Sequence, residues 1–425
     1  MSELLDRILS DENIKLAQKS VYANKGASGV DGVTVQELSS YMEENWQSIR
    51  EQIRERKYKP QPVLRVEIPK TNGGVRKLGI PTVIDRTIEQ AITQVLSPMF
   101  EPPFSEHSYG FRPGRRCEQA IIQLLEYFND GYTWIVDIDL EKFFDNVPQD
   151  KLMSYVHDVI NDGDTESLIR KYLQAGVMVK GQYEETSLGT PQGGNLSPLL
   201  SNVMLDKLDK ELEARELRFT RYADDCVIVV RSKAAATRVR YSITDWIERK
   251  LGLKVNATKT RITTPTKLKY LGFGFWKDKE VWKARPHQDS VSKFKRKLKQ
   301  LCKRSWSVDL TYRITKLNQV IRGWINYFAL GSMKRAMTEI DGHLRRAMII
   351  IIWKQWKVRQ KRRWGLMKLG MNPWQAKLMA GVGDKYMKIS KLAPIKKSIS
   401  KEKLTKRGLV SPLDYYLEKH ALRLN

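Results

Sequence analysis

Short β-branched runs alternate with helical stripes along this chain, and each change of period marks an element. Leu4, Leu5, Ile8 and Leu9 recur at helical spacing and predict an N-terminal helix. Between residues 64 and 80, short strands flank "TNGG", the pattern of a hairpin. Residues 85–100 are amphipathic, "EPPFSEHSYGFRPGRR" reads as a loop, and "YTWIVDIDL" reads as a strand. A helical stretch to Leu173, a Gly-rich loop "GTPQGGNLSP" and a helix "LLSNVMLDKLDKELEAR" lead to a second hairpin, "RYADDCVIVV". Its strands, 218–222 and 226–230, place Asp224 and Asp225 at the tip. Beyond about Arg285 the pattern becomes Lys/Arg-rich and helical, with interleaved Trp. The mixture is α+β in character.

Composition changes this picture through charge. The net charge is +27, and it is unevenly spread. Residues 1–285 hold 42 basic and 40 acidic side chains, or +2, whereas residues 286–425 hold 33 and 8, or +25. A basic surface of that size fits nucleic acid, whose phosphates it neutralises. The 425 residues, 41% hydrophobic, suffice for two or three domains with their own cores. Cys117, Cys226 and Cys302 lie too far apart to signal a zinc knuckle or a disulfide framework. The N-terminus is charged from its third residue, unlike a secretory signal, and the longest aliphatic run, "AMIIIIW", is far short of a span. These features predict a cytoplasmic, nucleic-acid-bound protein without membrane partners.

The candidate chemistry lies in two acidic stretches. Adjacent carboxylates repel, so an ionised Asp224–Asp225 pair is most simply explained by a bound cation. In "DIDLEKFFD", Asp137 and Asp139 share one face of the strand, and either can supply a third ligand. Three such acids suit two Mg²⁺ ions about 3.5–4 Å apart, one activating an attacking hydroxyl and the other stabilising a leaving oxygen. That is the chemistry of nucleotidyl transfer.

"KLGIPT", "DLEKFFD", "GTPQGGNLSP" and "YADD", with "NKGASGVDGVT" before them and "NATKT" and "YLGFGF" after, resemble the motifs of group II intron-encoded reverse transcriptases in order and spacing. The resemblance implies a right-hand polymerase with fingers, a palm built on an antiparallel sheet, an α-helical thumb and a small basic C-terminal domain. It favours Asp139 over Asp137, because the family's metal ligand lies five residues before an aromatic, here Phe144. It implies metal binding by Asp139, Asp224, Asp225 and the Leu140 backbone carbonyl. Phe144 is expected to exclude ribonucleotides, Lys70 and Arg76 to grip the triphosphate, and Gln192 with Gly193 and Gly194 to lie near the nascent base pair. Tyr222 is expected to touch substrate and Lys259 to donate a proton to pyrophosphate, while "YLGF" resembles the primer grip. Arg112 is expected to contact template or dNTP, with a loop-stabilising salt bridge as its other reading.

"LNQVIRGWINYF" resembles the maturase or X domain, in which Leu317, Ile321, Trp324, Ile325 and Phe328 share an apolar helical face. "WKQWKVRQKRRW" interleaves three Trp with six basic residues, suited to stacking on bases or gripping phosphates. The expected domains are fingers and palm over 1–285, thumb over 286–364 and a DNA-binding domain over 365–425. No His/Cys-rich endonuclease motif follows, which looks most like the group IIC branch, with a primer drawn from elsewhere, such as a nascent strand at a replication fork. The expected partners are group II intron RNA, an RNA template with DNA primer, dNTPs and target DNA. Two readings compete: a splicing cofactor with a dispensable polymerase site, and a retron, defence or diversity-generating reverse transcriptase.

Overall fold

The computed structural model describes residues 2–69, 75–191 and 193–424. The chain forms two compact units, Met1–Thr264 and Pro265–Asn425.

In the first unit the N-terminal stripe falls on a helix, Glu3–Ile8, that ends at Leu9, and a second helix, Asp11–Asn24, starts at Ser10, whose Oγ accepts from the Asn13 N–H. Leu5, Ile8 and Leu9 are buried. The helix Val83–Phe100 starts at Thr82, whose hydroxyl accepts from the Asp85 N–H, and it is buried on several sides of its first turns. Strands β1 (Val63–Pro69) and β2 (Val75–Ile80) pair antiparallel, with Leu64 opposite Ile80. Strand β3 is Trp134–Ile138. Strands β4 (Val177–Val179) and β5 (Gln182–Glu184) extend the first sheet in the order β2-β1-β4-β5. Three residues each, they are too short to show a period, so the sequence reading passed over them.

The second sheet follows the order β6-β7-β3-β8, with β6 at Arg218–Tyr222, β7 at Asp225–Val230 and β8 at Arg261–Thr263. Every pairing in it is antiparallel. Alternate residues Val136, Ile138, Cys226 and Ile228 enter the main core, together with residues of helices Ser197–Ala214 and Lys233–Trp246. This fixes which ends of β3 and β7 meet: Ile138 pairs with Cys226, so Asp139 and Asp225 come next in register.

The second unit opens with a 3-10 turn, Pro265–Lys267, and "YLGF" follows it. Tyr270 and Phe273 exchange both backbone bonds around Leu271 (φ 48°) and Gly272 (φ 80°), a tight turn of the hairpin type. The hairpin of β9 (Phe273–Asp278) and β10 (Val281–Pro286) follows. Helices Gln288–Leu301, Leu310–Phe328, Lys334–Gln355 and Arg359–Lys368 come next, then shorter ones ending with Pro412–Leu424. Leu317, Ile321, Ile325 and Phe328 are buried, and Trp324 stacks on Phe294 at 4.4 Å. With the hairpin in this unit, it holds 39 basic and 10 acidic residues, or +29, against 36 and 38, or −2, for the first. Among the described residues no helix is long and apolar enough to cross a membrane.

Candidate active site

Tyr222 pairs with Asp225, so β6 and β7 are joined by Ala223 and Asp224 alone. Ala223 sits at φ 57°, a left-handed conformation costly for a residue with a Cβ. Arg221 holds it there. This guanidinium, fully buried, forms a fork to Asp209 (2.7 and 2.5 Å) and donates to the Asn202 side chain (3.0 Å) and the Ala223 carbonyl (2.9 Å). Asn202 in turn donates to the Gly110 carbonyl at 2.9 Å. A Cβ on Gly110 would lie 2.3 Å from the Ala223 nitrogen, so the "SYGFRP" loop can rest on the turn only through glycine.

The three predicted carboxylates gather above this footing. Asp225, at the start of β7, has its carboxyl pushed up to about 6 by burial and by the charges of Asp224, Asp137 and Asp139. Burial and then Asp139 raise Asp224, and the Arg76 charge opposes them. Asp137 is also raised by burial, against the pull of Arg261, which it meets at 3.2 Å. Asp139 is positioned by Thr260, whose hydroxyl accepts its N–H at 3.1 Å, and its carboxylate faces the Lys259 ammonium at 3.3 Å. Leu140 bridges Val255, but the bonds of that bridge run through the Asp139 carbonyl and the Glu141 N–H, so the Leu140 carbonyl is not used in it.

These residues suit a divalent cation. Hard carboxylate oxygens crowd one another in a half-buried site, and the neighbouring ammonium already occupies part of the place of a cation. Among the described residues no three acidic, histidine or cysteine side chains are grouped closely enough to hold a metal ion by themselves. An open arrangement is what Mg²⁺ uses when it shares its shell with substrate phosphates.

Phe144 is half-buried and lines a cavity of about 370 Å³ with Arg65, Lys77 and Thr190. Its backbone carbonyl accepts the Thr190 N–H at 2.7 Å, and a Cβ on Gly189 would come within 2.6 Å of that carbonyl. Gly193 (φ 126°) presses on the Gly79 carbonyl of β2, where a Cβ would stand 2.1 Å away. Asn195 donates its N–H to buried Glu89 at 2.5 Å and its side-chain amide to Gln90 at 3.1 Å. The loop after Gln192 is thus seated on the fingers strand and on helix Val83–Phe100. Lys70 and Gln192 themselves lie outside the described residues.

Arg112 is buried, donating to Glu101 (2.9 Å) and to the carbonyls of Ser105 (2.5 Å) and Ser108 (2.9 Å). These bonds tie its own loop to Glu101, the salt bridge that was its other reading. Of the three Trp in "WKQWKVRQKRRW", Trp353 is buried and donates to the Gly383 carbonyl, and Trp356 packs on Gly365. Trp364, 63% exposed, is the one open to stacking.

Residues 68–275 match the family model for reverse transcriptase (RNA-dependent DNA polymerase), and residues 291–370 match the group II intron maturase-specific domain. Protein YkfC of Escherichia coli is 33% identical over 62% of this chain and 79% of its own length. The group II intron-encoded protein LtrA of Lactococcus lactis is 38% identical over 48% of this chain. The chain belongs to the group II intron reverse transcriptase/maturase family. By family, the reverse transcriptase is an RNA-directed DNA polymerase of the right-hand fold, binding RNA templates and using a divalent metal. The match spans about a third of LtrA, 34% of its length. Among solved structures, a chain of a partial Cas6-RT-Cas1–Cas2 complex aligns over 59% of this reverse transcriptase and 43% of its own length, at 25% identity and a TM-score of 0.37.

Proposed function

We propose that this reverse transcriptase copies RNA into DNA at Asp139, Asp224 and Asp225 with two Mg²⁺ ions, and that it acts as maturase on its parent group II intron RNA in splicing and retrohoming. The observation that carries the reading is the register that brings the 224–225 tip beside Asp139, where burial and mutual repulsion leave the carboxylates in need of positive charge. Bound there, with the Leu140 carbonyl as a further ligand, the ions would activate the primer 3′-hydroxyl and offset charge on the departing pyrophosphate. Lys259 releases Asp139 as substrate enters and is then free to protonate the pyrophosphate. Arg76, beside Asp224, meets the triphosphate with Lys70. Phe144 presents its ring to the sugar and rejects a 2′-hydroxyl, and Tyr222 supports the substrate from the hairpin. Gln192, carried by the loop seated on Gly79 and Glu89, lies by the nascent pair. We assign the thumb to 286–364 and DNA binding to 365–425, and take intron RNA, primed template, dNTPs and target DNA as partners.

Primer extension on an RNA template tests this. Asp224→Asn should abolish cDNA synthesis while leaving intron RNA affinity within about twofold of wild type. If neither protein extends the primer yet both bind the intron tightly, the polymerase half of the proposal is wrong and the chain works as a splicing cofactor.

A further inference from the structure

The second unit contains a cavity of about 620 Å³ outside the polymerase site, walled by the end of β10, the start of helix Gln288–Leu301 and the start of helix Lys334–Gln355. Its charge is one-sided. Arg285, Lys295, Lys334 and Arg335 line it against a single acid, Glu339, which is already held by Lys295 at 2.9 Å. Among the described residues Arg285, Lys334 and Arg335 take part in no ion pair, and all three are exposed.

The helix that carries two of them makes the arrangement more costly. Helices favour acids in their first turn, where unpaired N–H groups gather positive potential. Lys334–Gln355 has no acid in its first turn and no side-chain cap at Met333, and it opens on two cations. The cap position is otherwise fixed: the Met333 N–H donates to the buried Tyr416 hydroxyl (3.1 Å), and the Ser332 N–H donates to the Ala284 carbonyl (2.8 Å). Repulsion among Arg285, Lys334, Arg335 and the helix end is therefore built into the fold, and an anion entering the cavity relieves it. Half-buried Ser332 lines the same wall, and a serine hydroxyl is a partner suited to a ribose.

We infer that this cavity binds a backbone phosphate of a nucleic-acid strand, with RNA as its source. The inference rests on the RNA-binding reading above and adds a contact remote in sequence from the carboxylates. It is tested on the full chain with a structured RNA hairpin and a DNA hairpin of the same sequence, titrated over KCl. The Lys334→Ala/Arg335→Ala double variant should bind the RNA roughly tenfold more weakly at about 100 mM salt, with the slope of log K against log salt reduced by about one. DNA should lose less. Glu339→Gln, which removes the only acid and frees Lys295, should tighten RNA binding. Because these side chains are exposed, the melting temperature of the double variant should match or exceed wild type. Unchanged RNA affinity and slope in the double variant overturn the site, whatever happens with DNA. A wild type that fails to bind the RNA overturns the underlying reading as well.

Discussion

Arg221 shows what a single residue contributes here. The carboxylates beside it were legible in the sequence because an acidic pair at the head of a β-branched run is conspicuous, whereas the arginine looked like an ordinary strand residue. Its partner Asp209 lies twelve positions earlier on a helix, and its other acceptors, Asn202 and Ala223, share no local pattern with it. Thr260 was hidden in the same way, since a hydroxyl that positions Asp139 from 121 residues away leaves no local signature. Breaking the Arg221–Asp209 fork strands a charge in a site closed to solvent. Arg221→Met should therefore cost about 3–5 kcal/mol, whereas Arg221→Met with Asp209→Leu should recover much of that loss. Neither variant retains the bond to the Ala223 carbonyl, so both should fail in primer extension. Thermal unfolding of the full chain checks the first point, and a single variant as stable as wild type would refute it.

At the scale of elements, helix Val83–Phe100 is the beam on which the loop leading to Asn195 is mounted. Its amphipathic pattern was visible, but a Glu inside an apolar stripe gave no hint that Glu89 is fully enclosed and receives backbone N–H groups from Asn195 and Leu196. Burial pushes this carboxyl up to about 8, with Asp85 adding to the rise and Arg86 and the two N–H donors opposing it. Glu89 thus binds its proton more tightly in the folded chain than in the unfolded one. Its support of the fold is complete below about pH 4.5 and is lost as the pH rises through about 8. The melting temperature should accordingly fall between about pH 5 and 8, and Glu89→Gln should flatten that part of the profile. An unaltered slope in the variant would assign the effect to another group. Strands were less legible than helices: β4, β5 and β8 have three residues each, and only their pairing makes them strands.

Across the whole molecule, charge and chemistry are divided between the units. The unit with the carboxylates is close to neutral at −2, and the other carries +29. The sequence revealed this asymmetry because net charge needs no knowledge of folding, although the hairpin 273–286 shifts the division from the one drawn at residue 285. Attraction for nucleic acid should therefore arise mainly in the second unit, while bond formation depends on a few groups in the first. Raising KCl should increase the KM for primed template steeply while kcat changes less than about twofold. A parallel fall in kcat would show that salt reaches the carboxylates themselves.

The footing beneath Ala223 bears on how this enzyme can be altered. Asp224 and Asp225, the carboxylates proposed for catalysis, stand on a turn whose shape is set by Arg221, Asn202, Asp209 and Gly110. Libraries seeking new fidelity or substrate range can vary neighbouring positions such as Phe144 and Tyr222, provided the three carboxylates and those four are left untouched, because diversity introduced in the footing would be lost to misfolding before it was ever screened.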